Sequence, residues 1–140
     1  MAEPDITFTT MDPGSGERFQ PLRRELGVTG FGMNLVTLAP RQRGRIHAHD
    51  HQEEVYVVLE GELTLMVEGV AHVLARGGVV RVGPPVRRQL VNAGAVPLVL
   101  LALGGSGEHV GRDGRAWTAW EETGEGRSPQ EVPLPEDLEA

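Results

Sequence analysis

The strongest constraint on this fold is how often the chain is interrupted. β-forming residues run over 31–39, 54–60, 62–67, 71–75, 79–82, 86–91 and 96–103. Between them stand Pro40, Gly61, Glu68-Gly69, Gly77-Gly78, Gly83-Pro84-Pro85 and Asn92-Ala93-Gly94. Turn signals at intervals of about eight residues leave no room for long helices and predict an all-β sandwich or barrel. No sustained 3.6-residue period competes with that reading, and only residues 21–26 offer a helical turn. At 140 residues the chain forms one domain with a real core.

Face patterns refine the picture. Leu63, Leu65 and Val67 share one face of their run, with Glu62, Thr64 and Glu68 on the other, as in a strand buried on one side. Residues 96–103 are apolar on both faces. Such a strand lies between two layers or at a subunit contact, and it predicts a homodimer. Pro97 argues against a fully paired central position for it. Residues 1–30 read as a leading strand and loop, 31–104 as the barrel core and 105–123 as a closing loop and strand. Residues 124–140 read as an acidic, proline-containing tail, extended and solvated.

Composition excludes several chemistries. There is no Cys, hence no disulfide, thiolate nucleophile or Cys-bound zinc, and no Lys, hence no Schiff base. The net charge of −7 is concentrated in residues 121–140, where seven acids face Arg127 alone. With no basic stripe and few aromatics, nucleic-acid binding has no support. The N-terminus has no signal-peptide pattern and the longest apolar run is nine residues, too short for a bilayer. A soluble, cytoplasmic protein without membrane contact is expected.

Chemistry concentrates in residues 47–61. His47, His49 and His51 alternate, and Glu53 and Glu54 follow. On an extended strand i and i+2 share a face, so His47 and His49, and His51 if the strand continues, can aim imidazoles at one point. Imidazole with carboxylate suits a divalent transition metal such as Zn, Fe, Ni, Cu or Mn. Tyr56, the only tyrosine, shares parity with Glu54 and Val58 and can line the interior as an acid or a hydrogen-bonding wall. Arg87 and Arg88 are adjacent and must point to opposite faces. His72 reads as a surface or packed residue, His109 as a loop residue outside the site, and Trp117 and Trp120 as a closing strand or flap.

In this respect the chain resembles the cupin superfamily, small jelly-roll barrels of the double-stranded β-helix class. The family's first motif is Gly-x5-His-x-His-x3or4-Glu-x6-Gly. His47, His49, Glu54 and Gly61 fill it, while Arg41 takes the place of the leading Gly. The second motif, Gly-x5-Pro-x-Gly-x2-His-x3-Asn, is degenerate. Reading from Gly77 puts Arg88 at the His and Asn92 at the Asn; reading from Gly78 puts Gln89 at the His. The first register keeps Asn92-Ala93-Gly94 as the turn after the strand. The resemblance implies a metal held by His47, His49, Glu54 and a second-motif His that this chain lacks. His51 or Gln89 then stands as the fourth protein contact.

An Arg88 cation about 6 Å from a divalent ion repels it by roughly 5 kcal/mol at an effective dielectric near 20. Two arrangements avoid that. Arg88 can pair bidentately with Glu54 in place of the metal, or it can swing to the barrel mouth and receive an anionic substrate. Three function classes stay open. One is a metal-dependent enzyme (oxygenase, isomerase or cyclase) acting on a small organic molecule, with Tyr56 and Arg88 as catalytic candidates. The others are a metal-free acid–base enzyme and a metal-free small-molecule-binding module built on the Arg88–Glu54 pair. Whichever holds, far-UV circular dichroism should be dominated by β-structure.

Overall fold

The computed structural model describes residues 3–105 and 113–139. Among these, ten strands form two five-stranded antiparallel sheets that face each other as a jelly-roll barrel. In chain order the strands are β1 (Phe19–Gln20), β2 (Gly32–Leu38), β3 (Ile46–His49), β4 (Glu53–Glu60), β5 (Leu63–Val67), β6 (Val70–Leu74), β7 (Val79–Val82), β8 (Arg88–Val91), β9 (Leu98–Gly105) and β10 (Gly114–Trp117). One sheet has the order β1-β2-β9-β4-β7 and the other β10-β3-β8-β5-β6. The expected ladder is present with ends shifted by one or two residues. β8 starts late because Pro84 and Pro85 precede it and Val86 closes a turn onto the Gly83 carbonyl.

The only α-helical turn among the described residues, α1 (Leu22–Leu26), falls where the sequence allowed one. Gly27 ends it in the left-handed region, letting the Val28 N–H cap the Arg23 carbonyl. At the β4–β5 hairpin, Gly61 is also left-handed, and a Cβ there would run into the Pro97 carbonyl. That close approach explains why this turn takes a glycine. Asn92 is buried and donates to the Leu38 and Val96 carbonyls (2.9 Å each) while accepting from the Gly94 N–H, which locks the β8–β9 turn.

The core lies between the sheets. Val36, Leu38, Tyr56, Val58, Leu63, Leu65, Leu90, Leu98 and Leu100 interdigitate there. Each fully buried leucine contributes roughly 1.5–3 kcal/mol. A second cluster corrects an expectation. β9 is a central strand, paired with both β2 and β4, because Pro97 lies just before its first paired residue, Leu98. Its outer face is covered from within the chain, with Val99 packed on Leu22 of α1 and Leu35, and with Met33, Leu59 and Leu101 alongside. Of the two placements the sequence offered for this strand, between two layers or at a subunit contact, the chain itself thus supplies the first.

The tail is the second correction. Instead of running free in solvent, it is docked along residues 41–45. Arg45 Nε donates to the Val132 carbonyl (2.6 Å), Arg43 Nε to that of Glu136 (2.8 Å) and Arg41 to that of Glu139. Leu138 N–H returns a bond to the Arg41 carbonyl. Val132 is 2% exposed. The arginines satisfy backbone carbonyls that an acidic, proline-containing segment cannot pair within itself. Arg127 forms an isolated bridge with Ala116 of β10, and Trp117 and Trp120 pack over Ile46 and Ala48 on the outer face of β3.

Deleting residues 128–140 should therefore lower the melting temperature by about 5–10 °C, and Val132→Ala alone should cost about 2 kcal/mol. Thermal and urea denaturation check both, and an unchanged melting temperature in the truncated protein would return the tail to solvent.

Candidate metal centre

The site is built where β3 of one sheet faces β4 of the other. Alternation along β3 turns His47 and His49 inward while Ile46 and Ala48 pack outward. On β4 the same rule turns Glu54, Tyr56 and Val58 inward. His47 Nε2 lies 3.4 Å from Glu54 Oε1, and His49 Nε2 lies 3.5 Å from Glu54 Oε2. The two imidazoles meet edge to face, 87° apart. One ligand atom from each of the three residues falls within 4.8 Å of the other two, and all three side chains are mostly buried.

The outer nitrogens show which lone pairs point inward. His47 Nδ1 lies 3.1 Å from the Arg45 carbonyl, a group that only accepts, so Nδ1 carries the proton and Nε2 offers a lone pair. His49 Nδ1 points toward Asp113 Oδ2 at 3.9 Å. In that form His47 Nε2 cannot donate to Glu54, and the contacts of 3.4–3.5 Å from both rings are long for hydrogen bonds. A proton at the centre would serve one pair of atoms. A divalent cation serves all three donors at once, and the donor set, two imidazoles and a carboxylate, suits one.

Arg88 supplies the fixed charge behind Glu54. It pairs with His47 in register across β3 and β8, points inward and is completely buried. Its Nη2 donates to Glu54 Oε1 (3.2 Å) and its Nε to the Tyr56 hydroxyl (3.4 Å). Nη1 faces the carbonyls of Val86 (2.7 Å), Pro84 (3.3 Å) and Gly83 (3.4 Å). The guanidinium is thus anchored by backbone and does not swing to the mouth. Nor is the pair with Glu54 bidentate, because Tyr56 takes the second nitrogen. Tyr56 donates its hydroxyl to Glu54 Oε1. Both catalytic candidates are buried, with the Tyr56 hydroxyl on Glu54 and 3.4 Å from His47 Nε2, and Arg88 shared between Glu54, Tyr56 and the turn before β8.

Electrostatics follow the geometry. Burial works to raise the Glu54 carboxyl, but its contacts with the His47 and His49 rings and the charge of Arg88 outweigh it, holding Glu54 well below the usual carboxylate range. Burial first, and then the Glu54 charge, push the Tyr56 hydroxyl well above its ordinary value, against the opposing pull of Arg88. Tyr56 therefore stays protonated and serves as a donor.

Neither residue expected as a fourth ligand reaches the centre. Gln89 alternates to the outer face of β8 and donates to the Gly44 carbonyl (2.9 Å). β3 ends at His49, so the parity argument stops before His51, whose side chain is 75% exposed and binds Asp113 Oδ1 (3.0 Å). Asp113 was missed from sequence, since no spacing rule ties it to the histidines. His72 is exposed on β6; His109 lies outside the described residues. Arg87 points outward, stacked on Trp117 and Trp120 at 5.3 and 5.6 Å from the ring centroids. A cavity of about 170 Å³ opens onto His47 and His49, walled by Phe19, Arg45, Leu90 and Pro129.

Comparison with known proteins agrees with this architecture. The cupin domain family model matches residues 34–104. A crystal structure from Silicibacter pomeroyi, described as a sugar phosphate isomerase of the cupin superfamily, is 31% identical with a TM-score of 0.58, over 62% of this chain and 57% of that one. One from Acidithiobacillus ferrooxidans, described as a putative sugar phosphate isomerase, is 26% identical with a TM-score of 0.58, over 66% and 58%. The chain thus spans less than two thirds of either. A cupin protein from Bacteroides fragilis shares the fold at 18% identity and a TM-score of 0.66, over 88% of this chain and 99% of that one. No curated protein matches.

Removing Arg88 leaves the Glu54 charge buried without its cation. Arg88→Ala should destabilise the protein by about 3–5 kcal/mol in urea denaturation, and Arg88→Met with Glu54→Gln should recover much of that loss. Because folding lowers the Glu54 value, its stabilisation is complete above the unfolded value near 4.5 and fades as the pH falls through the folded one. Glu54→Gln should flatten the acid limb of a melting-temperature profile; an unaltered limb would place the titrating group elsewhere.

Proposed function

The chain belongs to the cupin superfamily, and we propose that it holds a divalent metal ion with His47, His49 and Glu54 and isomerises a small anion of the sugar phosphate class. The observation that carries the metal is the set of three lone-pair donors converging within 4.8 Å, with the far nitrogen of His47 fixed on a backbone carbonyl. When bound, the ion polarises a substrate carbonyl or hydroxyl oxygen. His47 and His49 present their Nε2 atoms to it. Tyr56 and Arg88 hold one oxygen of Glu54, leaving the other toward His49. Phe19, Leu90 and Pro129 give the histidine-lined cavity an apolar wall, and Arg45 on its rim suits a phosphate or carboxylate. The substrate class rests on the likeness to two structures, 31% and 26% identical, described as a sugar phosphate isomerase and a putative one.

One observation favours a second reading. The buried Arg88 already neutralises Glu54, as in a metal-free binding module. The two readings part on metal content. Protein purified without a His tag and without added metal should carry or take up close to one divalent ion per chain in elemental analysis. His49→Ala should abolish uptake, and Arg88→His should tighten it. Conversion within a panel of aldose and ketose phosphates, followed by NMR, then tests the reaction. A native protein that neither contains nor takes up metal would leave the Arg88–Glu54 module standing.

A further inference from the structure

Asp113 belongs to none of the roles above, yet it is buried at 7% exposure and stands immediately before β10. We propose that Asp113 is the positioning residue of the centre, holding the corner that joins the two ligand-bearing strands and setting the orientation of His49; this rests on the reading of His47, His49 and Glu54 as metal ligands.

Three consecutive N–H groups of that corner end on this one residue. The Asp50 N–H donates to its carbonyl (3.1 Å), and the N–H groups of His51 and Gln52 donate to its Oδ2 (2.8 and 2.9 Å). The His51 ring closes over Oδ1 (3.0 Å), and Arg115 braces Asp50 from outside (2.7 Å). Residues 50–52 are what separates His49 from β4. Their conformation therefore decides whether His49 and Glu54 meet.

The second line of argument is electrostatic. His49 Nδ1 is buried and makes no hydrogen bond, and the nearby charge is Asp113 Oδ2 at 3.9 Å. That distance excludes a direct hydrogen bond, but a carboxylate there favours the proton on Nδ1 and leaves the Nε2 lone pair facing Glu54. Carboxylates behind a ligating imidazole act in this way, and their loss weakens metal binding by about 10–100-fold. His51, offered by its spacing as a ligand, is on this account a cap on Asp113.

The test uses the full chain. In the metal-free wild type, nitrogen-15 NMR should find His49 protonated on Nδ1 and the amides of residues 50–52 protected from hydrogen exchange. Asp113→Asn should mix the His49 tautomers, speed exchange at residues 50–52 and weaken Zn²⁺ binding in calorimetry by about 10–100-fold. His51→Ala should leave Zn²⁺ affinity within about twofold. An Nε2–H tautomer in the wild type would overturn the proposal, and that measurement does not depend on whether Asp113→Asn folds. So would wild-type affinity and tautomer in folded Asp113→Asn, or a His51→Ala loss as large as that of His49→Ala. A wild type that binds no Zn²⁺ would sink the metal reading alone, since the tautomer and the exchange rates still decide the role of Asp113.

Discussion

The interior of this barrel is organised around one buried negative charge. Glu54 lies between two sheets whose facing surfaces are otherwise leucine and valine, and an isolated carboxylate there would be prohibitively expensive. Every polar group within reach is turned toward it. Tyr56 and Arg88 take one oxygen, His49 faces the other and His47 stands beside the pair. Arg88 in turn needs anchoring, and the carbonyls of the Gly83–Val86 turn anchor it. The start of β8, the parity of β4 and the inward face of β3 all answer to this requirement.

An arginine beside a metal centre looks at first like a contradiction. The repulsion of roughly 5 kcal/mol estimated for a cation 6 Å from a divalent ion is real only if nothing stands between them. Here the carboxylate does. Arg88 sits on Oε1, while Oε2 is turned to His49. The arginine therefore binds the back of a ligand, as a hydrogen-bond donor behind a metal-bound carboxylate does. Without metal, the same contact leaves a neutral ion pair, so the barrel has a stable packing in either state.

The periphery is held by similar means. Backbone groups of irregular segments are satisfied by charged side chains from distant parts of the chain. Arg41, Arg43 and Arg45 cover the tail carbonyls, and Asp113 covers the N–H groups between β3 and β4. Both devices end at the histidine-lined cavity, through Pro129 on one side and His49 on the other. Loops that carry few apolar residues are ordered in this way at the cost of burying part of each charge.

Local periodicity was enough to determine the strand ladder, the turn glycines and the convergence of His47, His49 and Glu54. Alternation along a strand is set by the backbone alone, and the Gly and Pro positions leave little freedom in where strands begin and end. The opposite facings of Arg87 and Arg88 were legible for the same reason. Four matters were decided only by tertiary structure. β9 became central because β2, 60 or more residues upstream, and β4, about 40–50 residues upstream, both pair with it. The tail docked because arginines far upstream meet its carbonyls. Gln89 and His51 left the site because one lies on the outer face of β8 and the other just beyond the end of β3. Asp113 entered because β10 lies against β3 in space, a contact between residues that no periodicity connects.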